Sequence, residues 1–204
     1  MKIFLTAILF IAVNCYAQNA ETVIKNLREK FKTIEDFKSS FKQTTSGSFS
    51  ESGLTLSGNF SYKKKNKFKV ELKNIELISN SNDIWNYDKR LNRVVINKNE
   101  ETNAFLNLDD IINNYPEQCR AELVKEPGSD KFYVLKLTPT KNNLEFESAV
   151  IWIDKNYILN KIMFKDLSGS EYIVELTNIK LNQNLPEGEF IFVVPEGCKI
   201  IDFR

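Results

Sequence analysis

Histidine is absent from this chain of 204 residues. Its absence excludes the commonest general base, the usual catalytic triads and most zinc and copper sites. The sequence also contains no phosphate-binding loop, no nucleophile elbow, no dinucleotide fingerprint and no calcium loop. We therefore expect no enzymatic activity, no cofactor and no metal.

An excess of charge is also missing. The chain has 28 lysines and arginines against 27 aspartates and glutamates, and without Lys2 the numbers are equal. Proteins that bind nucleic acid need a net basic surface to neutralise phosphates. We therefore expect no nucleic-acid partner.

Long hydrophobic runs are lacking, since a bilayer crossing takes about 20 apolar residues. The longest run, Ile3–Val13, follows Lys2 and precedes Cys15 and Ala17. A secretory signal peptide typically has a positively charged start, a short apolar middle and small residues before its cleavage site. We expect residues 1–17 to be removed. Lipidation of Cys15 is the alternative, and it would anchor the protein to a membrane.

Cysteine is scarce, and no Cys-x-x-Cys pair supports a redox or zinc role. Residues 18–204 form a single predicted domain that retains Cys119 and Cys198. In an oxidising compartment such a pair is expected to form a disulfide, which would stabilise the fold by about 4–5 kcal/mol if unstrained. Two buried free thiols are the alternative.

Two segments have the apolar spacing of amphipathic helices. They are Glu21–Ile34 and Asn103–Tyr115, the second ended by Pro116. Leu108, Ile112 and Tyr115 lie on its apolar stripe. A helix this short is marginal in water, so we expect it to dock on another part of the protein.

The rest of the chain is predicted to form β-strands. Phe37–Gln43 is predicted to be the first strand, and Thr44–Gly53, rich in serine, threonine and glycine, a flexible connection. Gly58–Ile96 alternates with period two, as in a meander with one apolar face. Its large apolar residues are Phe60, Tyr62, Phe68, Val70, Leu72, Trp85 and Tyr87. Later predicted strands are Phe132–Leu137, Leu144–Ile153, Leu159–Lys165, Glu171–Leu181 and Glu189–Val194.

The predicted fold is mainly β, with about ten or eleven strands and two helices. A strongly curved antiparallel sheet, or incomplete β-barrel, with the helices covering its concave face fits this pattern. The aromatic face under the helices has two interpretations on the residues alone. It is either a solid core or the wall of an apolar ligand cavity.

Several segments resemble the LolA family of periplasmic lipoprotein carriers. SGNFSYKKKNKFKVEL is similar to the family's strand-loop-strand, and DIWNYDKRLNRV to its Trp-x-Tyr segment. Phe190, Phe192, Pro195 and Gly197 match its closing Phe-x-Phe-x-x-Pro-x-Gly. The resemblance covers roughly Glu21 to Gly197, and the order and spacing of the motifs carry it.

The resemblance implies an incomplete barrel with a helical lid, located in the periplasm. Its implied cargo is acylated lipoproteins, received from an inner-membrane ABC transporter, carried by a monomer and passed on to an outer-membrane acceptor. The lipid-binding residues would be Phe60, Tyr62, Phe68, Val70, Leu72, Trp85, Tyr87, Leu108, Ile112 and Tyr115. Phe68 would also face partners.

One motif departs from the family. Lys64-Lys65 stands where relatives have Arg-Pro, and the family's arginine latches the lid. Lys64 is therefore the predicted latch or rim residue, although a lysine lacks the planar fork of arginine. Three other roles stay open for the same fold: a lipid-anchored outer-membrane acceptor, a periplasmic regulator and a structural protein with a solid core.

Overall fold

The computed structural model describes residues 9–47, 50–98, 107–141 and 143–204, with side chains described from residue 20 onward and outside 50–52. It contains two α-helices, a π-helical turn, a 3-10 turn and twelve strands. In chain order these are α1 (Leu9–Lys32), β1 (Asp36–Gly47), β2 (Ser50–Lys63), β3 (Lys67–Leu72), β4 (Ile75–Asn80), β5 (Asp83–Asp88), β6 (Arg93–Lys98), the π turn (Asp110–Asn114), α2 (Tyr115–Gln118), β7 (Cys119–Val124), β8 (Phe132–Pro139), β9 (Phe146–Asp154), β10 (Leu159–Asp166), β11 (Glu171–Leu181), the 3-10 turn (Glu187–Phe190) and β12 (Lys199–Asp202).

All twelve strands belong to one sheet. Their order is β12-β6-β5-β4-β3-β2-β1-β11-β10-β9-β8-β7, and every pair is antiparallel except β12 with β6. Strands β7 and β12 therefore form the two edges. The predicted mainly β fold with a curved open sheet and helices on one face is confirmed.

The first hairpin is longer than the sequence predicted. Instead of a flexible connection over Thr44–Gly53, β1 continues to Gly47 and β2 begins at Ser50. Thr44 pairs with Thr55 and Thr45 with Leu54. The predicted flexible connection was wrong because the β-branched threonines of this segment favour extended backbone, despite the serine and glycine around them.

The predicted strand Glu189–Val194 is also wrong. Its first residues lie in the 3-10 turn, and the following ones cross the sheet without pairing to it. The strand near this end is β12, which the sequence pattern did not predict. Its parallel pairing with β6 runs from Lys199 opposite Arg93 to Asp202 opposite Ile96.

The meander buries two different faces of the sheet. Residues directly opposite each other on paired strands share a face. Val70 pairs with Leu77, and Leu77 with Asn86. Asn86 therefore shares the inner face with Val70, while its neighbours Trp85 and Tyr87 point to the outer face.

The C-terminal segment covers this outer face. The Phe192 ring lies 6.5 Å from that of Trp85 and 5.3 Å from that of Tyr87, measured between centroids. Phe190 is buried beside it. A second apolar cluster thus forms on the convex side, separate from the main core.

Candidate functional site

The concave face of the sheet is covered by α1 and by a segment that we call the lid, residues 107–118. Helix α1 buries its apolar stripe, including Val23 and Leu27, against this face. The lid buries Leu108, Ile111, Ile112 and Tyr115. The predicted helix Asn103–Tyr115 is confirmed from residue 108 on, and residues 103–106 lie outside the described residues.

The lid continues past the proline that was predicted to end it. Pro116 lies in the first turn of α2, directly after the π turn. Proline is tolerated in a first helical turn because those N–H groups have no helical acceptor. The helix therefore ends two residues later, at Gln118.

Aromatic side chains of the sheet meet α1 at the centre of the concave face. The ring of Tyr62 lies 5.3 Å from that of Phe37 and 5.6 Å from that of Phe31 on α1. Phe60 lies 5.6 Å from Phe37 and 6.5 Å from Phe68. Burial raises the pKa of Tyr62, and the nearby carboxylate of Asp109 raises it further. This phenol therefore stays neutral at physiological pH.

A second aromatic group lies under the lid. Tyr115 contacts Phe146 and Phe164 at centroid distances of 5.1 Å and 6.1 Å, edge to face. Burial raises the pKa of Tyr115 to about 12. The lid is thus seated by an aromatic residue at its C-terminal end and by leucine and isoleucine at its other end.

The structure places seven of the ten predicted lining residues in the covered core. These are Phe60, Tyr62, Phe68, Val70, Leu108, Ile112 and Tyr115, all buried, and Leu72 packs against them half-buried. Trp85 and Tyr87 were predicted wrongly, because the strand register turns them to the outer face. The prediction missed residues of the second half of the sheet, notably Leu135, Ile151, Ile162 and Phe164. Their period-two spacing could have identified them.

The two cavities found under the cover, among the residues that the structure describes, are small. One cavity of about 30 Å³ lies between Leu27, Phe31, Leu108 and Ile112, and another of about 10 Å³ lies between Phe41 and Ile111. The first has room for about one water molecule. Sites for small molecules usually measure roughly 300–1,000 Å³. The concave face is therefore closed in this conformation, as far as the described residues show it.

One arginine ties the lid to α1. Arg28 Nε donates to the carbonyl of Ile112 at 3.2 Å, and its Nη2 donates to the carbonyl of Asn113 at 2.5 Å. Pro116 has no N–H with which to satisfy the carbonyl four residues before it, that of Ile112. Arg28 supplies the missing donor. Its Nη2 also lies 3.2 Å from Glu117 Oε1.

Lys64 does not latch the lid. Its ammonium pairs with Glu35, outside the lid, so the predicted latch was wrong. Lys64 does lie at the rim, lining a cleft with Asp109 and Asn113 of the lid. Arg28 of α1, and not a residue of the β2–β3 loop, supplies the planar guanidinium that bonds two adjacent lid carbonyls.

The C-terminal end of the lid is fixed to the sheet. The N–H and hydroxyl of Thr140 both donate to the carbonyl of Gln118, at 3.0 Å and 2.9 Å. Asn143 donates to the side-chain oxygen of Gln118 at 2.7 Å. The lid is thus anchored at Gln118 and held further along by Arg28.

The predicted disulfide is absent, because Cys119 and Cys198 are both free. Cys119 begins β7 and Cys198 directly precedes β12, so the two lie at opposite ends of the strand order. Burial raises the pKa of Cys119 to about 11. The sequence could not show this separation, since it depends on β12 pairing with β6.

The described ranges contain neither a candidate metal site nor a helix that could span a membrane. No set of three or more cysteines, aspartates or glutamates is placed to hold a metal ion among these residues. None of the helices described combines the length and the apolar character that crossing a bilayer requires.

Comparison with known proteins agrees with this architecture. An outer-membrane lipoprotein carrier protein of Wigglesworthia glossinidia brevipalpis is 32% identical, with 87% of this chain and 85% of that protein aligned. An uncharacterised protein of Methanocaldococcus jannaschii is 26% identical over 98% of this chain, which spans only 59% of that relative's length.

A solved structure shares the fold. It is that of an uncharacterised conserved protein from Thermus thermophilus, with a TM-score of 0.58, 14% identity, and coverage of 91% of this chain and 99% of that one. Residues 32–193 match the family described as outer membrane lipoprotein carrier protein LolA. The chain therefore belongs to the LolA family.

Proposed function

We propose that this protein carries lipoproteins across the periplasm, holding their acyl chains between the sheet and the lid. The observation that carries the proposal is the construction of the lid. Its contact with the sheet is apolar, while its described polar ties are the two bonds from Arg28, the pairing of Glu117 with Arg28 and the anchor at Gln118. Such a contact can be replaced by acyl chains at little cost, because both are apolar.

The physical need for such a carrier follows from the cargo. Each methylene exposed to water costs about 0.8 kcal/mol, so one long acyl chain costs on the order of 10 kcal/mol. A lipoprotein therefore cannot leave a membrane unless its chains are covered. Closing the concave face when empty keeps Leu108, Ile112 and the aromatic residues out of water between deliveries.

Lid closure also sets the affinity. Chains that enter must displace the lid, so part of their binding free energy is used to open it. Binding strong enough to extract a lipoprotein can thus remain weak enough to release it. The proposal includes receipt from an inner-membrane ABC transporter, delivery to an outer-membrane acceptor, and action as a monomer.

The direct test is complex formation with a triacylated lipoprotein. The mature protein should keep such a lipoprotein soluble after detergent removal, as a one-to-one complex by native mass spectrometry. Leu108→Glu, which places a charge under the lid, should weaken the complex, whereas Val193→Glu, at a position 79% exposed and outside the lid, should not. Failure of the folded wild type with several triacylated lipoproteins would refute the proposal.

The mature N-terminus separates the soluble carrier from the anchored alternative. Cleavage after Ala17 gives a protein that begins at Gln18, and mass spectrometry of periplasmic material should show that mass. A chain that begins at an acylated Cys15 would instead identify a membrane-anchored acceptor.

A further inference from the structure

A cleft of about 440 Å³ opens between the end of α1, the lid and the loop that joins β2 to β3. We call it the lysine cleft, because Lys32, Lys63, Lys64, Lys65 and Lys67 line it. Three carboxyl groups, those of Glu35, Asp109 and Glu187, line it as well. With all of these groups ionised, the lysine cleft carries an excess of positive charge.

The excess remains after the ion pairs are assigned. Glu187 is shared, with one carboxylate oxygen 3.0 Å from Lys63 Nζ and the other 2.5 Å from Lys67 Nζ. These two lysines hold the pKa of Glu187 at about 2, so its carboxylate stays charged. Lys64 pairs with Glu35, and Lys32 with Glu29. Lys65 has no carboxylate partner among the residues that the structure describes.

The backbone at Lys65 is left-handed. Lys65 has φ +68° and Asn66 has φ +54°, so two successive residues are left-handed. Glycine and asparagine adopt this conformation readily, whereas other residues pay roughly 1–2 kcal/mol for it. Tight hairpin turns use positive φ, and these residues form the turn between β2 and β3. An exposed lysine with no acidic partner is therefore held at a position that glycine would fill more easily.

The lysine cleft adjoins the covered apolar face. Phe31 and Tyr62 line it, and Phe31 also lines the 30 Å³ cavity beneath Leu108 and Ile112. Asp109 and Asn113 of the lid form its other wall. A molecule with acyl chains under a displaced lid would therefore have its polar end beside Lys65.

We propose that the lysine cleft binds the anionic headgroup of a diacyl phospholipid whose chains lie under the lid, so that the protein binds anionic phospholipids as well as lipoproteins. The inference rests on the proposed function, since it needs the same apolar face to accept acyl chains. A phosphate diester fits here because lysine ammonium groups are compact donors that bind phosphate oxygens from several directions. The other lysines that line the cleft also attract an anionic headgroup over distances longer than a direct contact.

Short-chain phospholipids below their micelle concentration test the proposal by calorimetry. Diheptanoyl phosphatidylglycerol, which is anionic, should bind roughly tenfold more tightly than zwitterionic diheptanoyl phosphatidylcholine at low salt. The difference should shrink at high salt, as screening requires. Glycerophosphoglycerol, the headgroup without chains, should bind far more weakly. Equally tight binding of this free headgroup would overturn the joint site.

Lys65→Gly identifies the residue responsible. This change removes the charge and relieves the backbone, so the melting temperature should stay the same or rise while the preference for the anionic lipid falls to about twofold. Lys73→Gln is the matched control, since Lys73 is an exposed lysine in the β3–β4 turn, at the opposite end of β3. It should keep the preference.

Two results would contradict the inference: equal affinity of the wild type for both lipids, or a preference that Lys65→Gly leaves unchanged. The lipoprotein assay separates its failure from failure of the proposed function. A protein that binds lipoprotein but does not distinguish the two lipids retains its carrier role and loses the anion site. One that binds neither lipid nor lipoprotein loses both.

Discussion

At the scale of single residues, Arg28 controls the lid. Arg28→Lys keeps the charge but cannot reach two adjacent carbonyls with one planar group. The carbonyls of Ile112 and Asn113 should then open more often. We expect amide hydrogens in residues 108–118 to exchange about tenfold faster, equivalent to about 1.4 kcal/mol of local opening.

The matched control for this change is Arg120→Lys. Arg120 is an exposed arginine on β7 that pairs with Glu122 and bonds no lid carbonyl. Exchange in the lid should remain at the wild-type rate in this variant. Unchanged exchange in Arg28→Lys would show that packing alone holds the lid.

Asp109 makes lid stability depend on pH. Its pKa is raised, chiefly by burial and further by the neighbouring Asp110, although Asn113 donates to its carboxylate and lowers it. A raised pKa means that the folded state binds the proton more tightly than the unfolded state. The protonated Asp109 carboxyl therefore contributes its full stabilisation below the ordinary pKa of an aspartate, near 3.9. This stabilisation is lost as pH rises through the pKa of Asp109 in the folded state.

Asp109→Asn should therefore raise the melting temperature at neutral pH by a small amount, below about 4 °C. The difference from the wild type should vanish in acid, where the wild-type carboxyl is protonated. Thermal melts between pH 3 and pH 7 measure both effects. Asp130→Asn, in an exposed turn, should change the melts at neither end, and a lower melting temperature of Asp109→Asn at pH 7 would contradict the assignment.

At the scale of elements, the C-terminal segment stabilises the outer face. Phe192→Ala removes the ring that covers Trp85 and Tyr87. Because Phe192 is only half-buried, we expect the free energy of unfolding to fall by about 1–3 kcal/mol, less than for a core phenylalanine. Urea unfolding monitored by tryptophan fluorescence measures this loss.

Val193→Ala is the control for the same segment, because this side chain is largely exposed and should contribute little. Lipoprotein binding should survive in both variants, since Phe192 lies on the opposite side of the sheet from the lid. Loss of binding in a folded Phe192→Ala protein would show that the outer cluster also takes part in carrying cargo.

The sequence predicted elements well where the spacing of apolar residues within one element decides which residues are buried. The alternation of Phe60 and Tyr62 and the helical spacing of Leu108 and Ile112 were enough to bring these residues under one cover. The sequence failed at Trp85, because a side chain's face depends on how several strands pair in turn. It also failed at Arg28, because the carbonyls that it binds lie 84 and 85 residues away.

At the scale of the whole molecule, the strand order keeps Cys119 and Cys198 apart. The mature protein, without residues 1–17, should therefore carry two free thiols, and alkylation under denaturing conditions should add two labels without prior reduction. In the native protein at pH 8, Cys119 should react slowly because few of its thiols are ionised. A mass that is two hydrogens lower, with no label taken up, would show that the edges of the sheet meet.

The two hydrogen bonds from Arg28 to the lid also affect whether the lid can close again after it has opened. When the lid lifts, water can bond the carbonyls of Ile112 and Asn113, and Glu117 or solvent can accept from the guanidinium. Neither these two carbonyls nor the guanidinium is then left unpaired when the lid is closed or lifted. We therefore expect the lid to open and reclose without unfolding, because Pro116 leaves the carbonyl of Ile112 to a donor from another element.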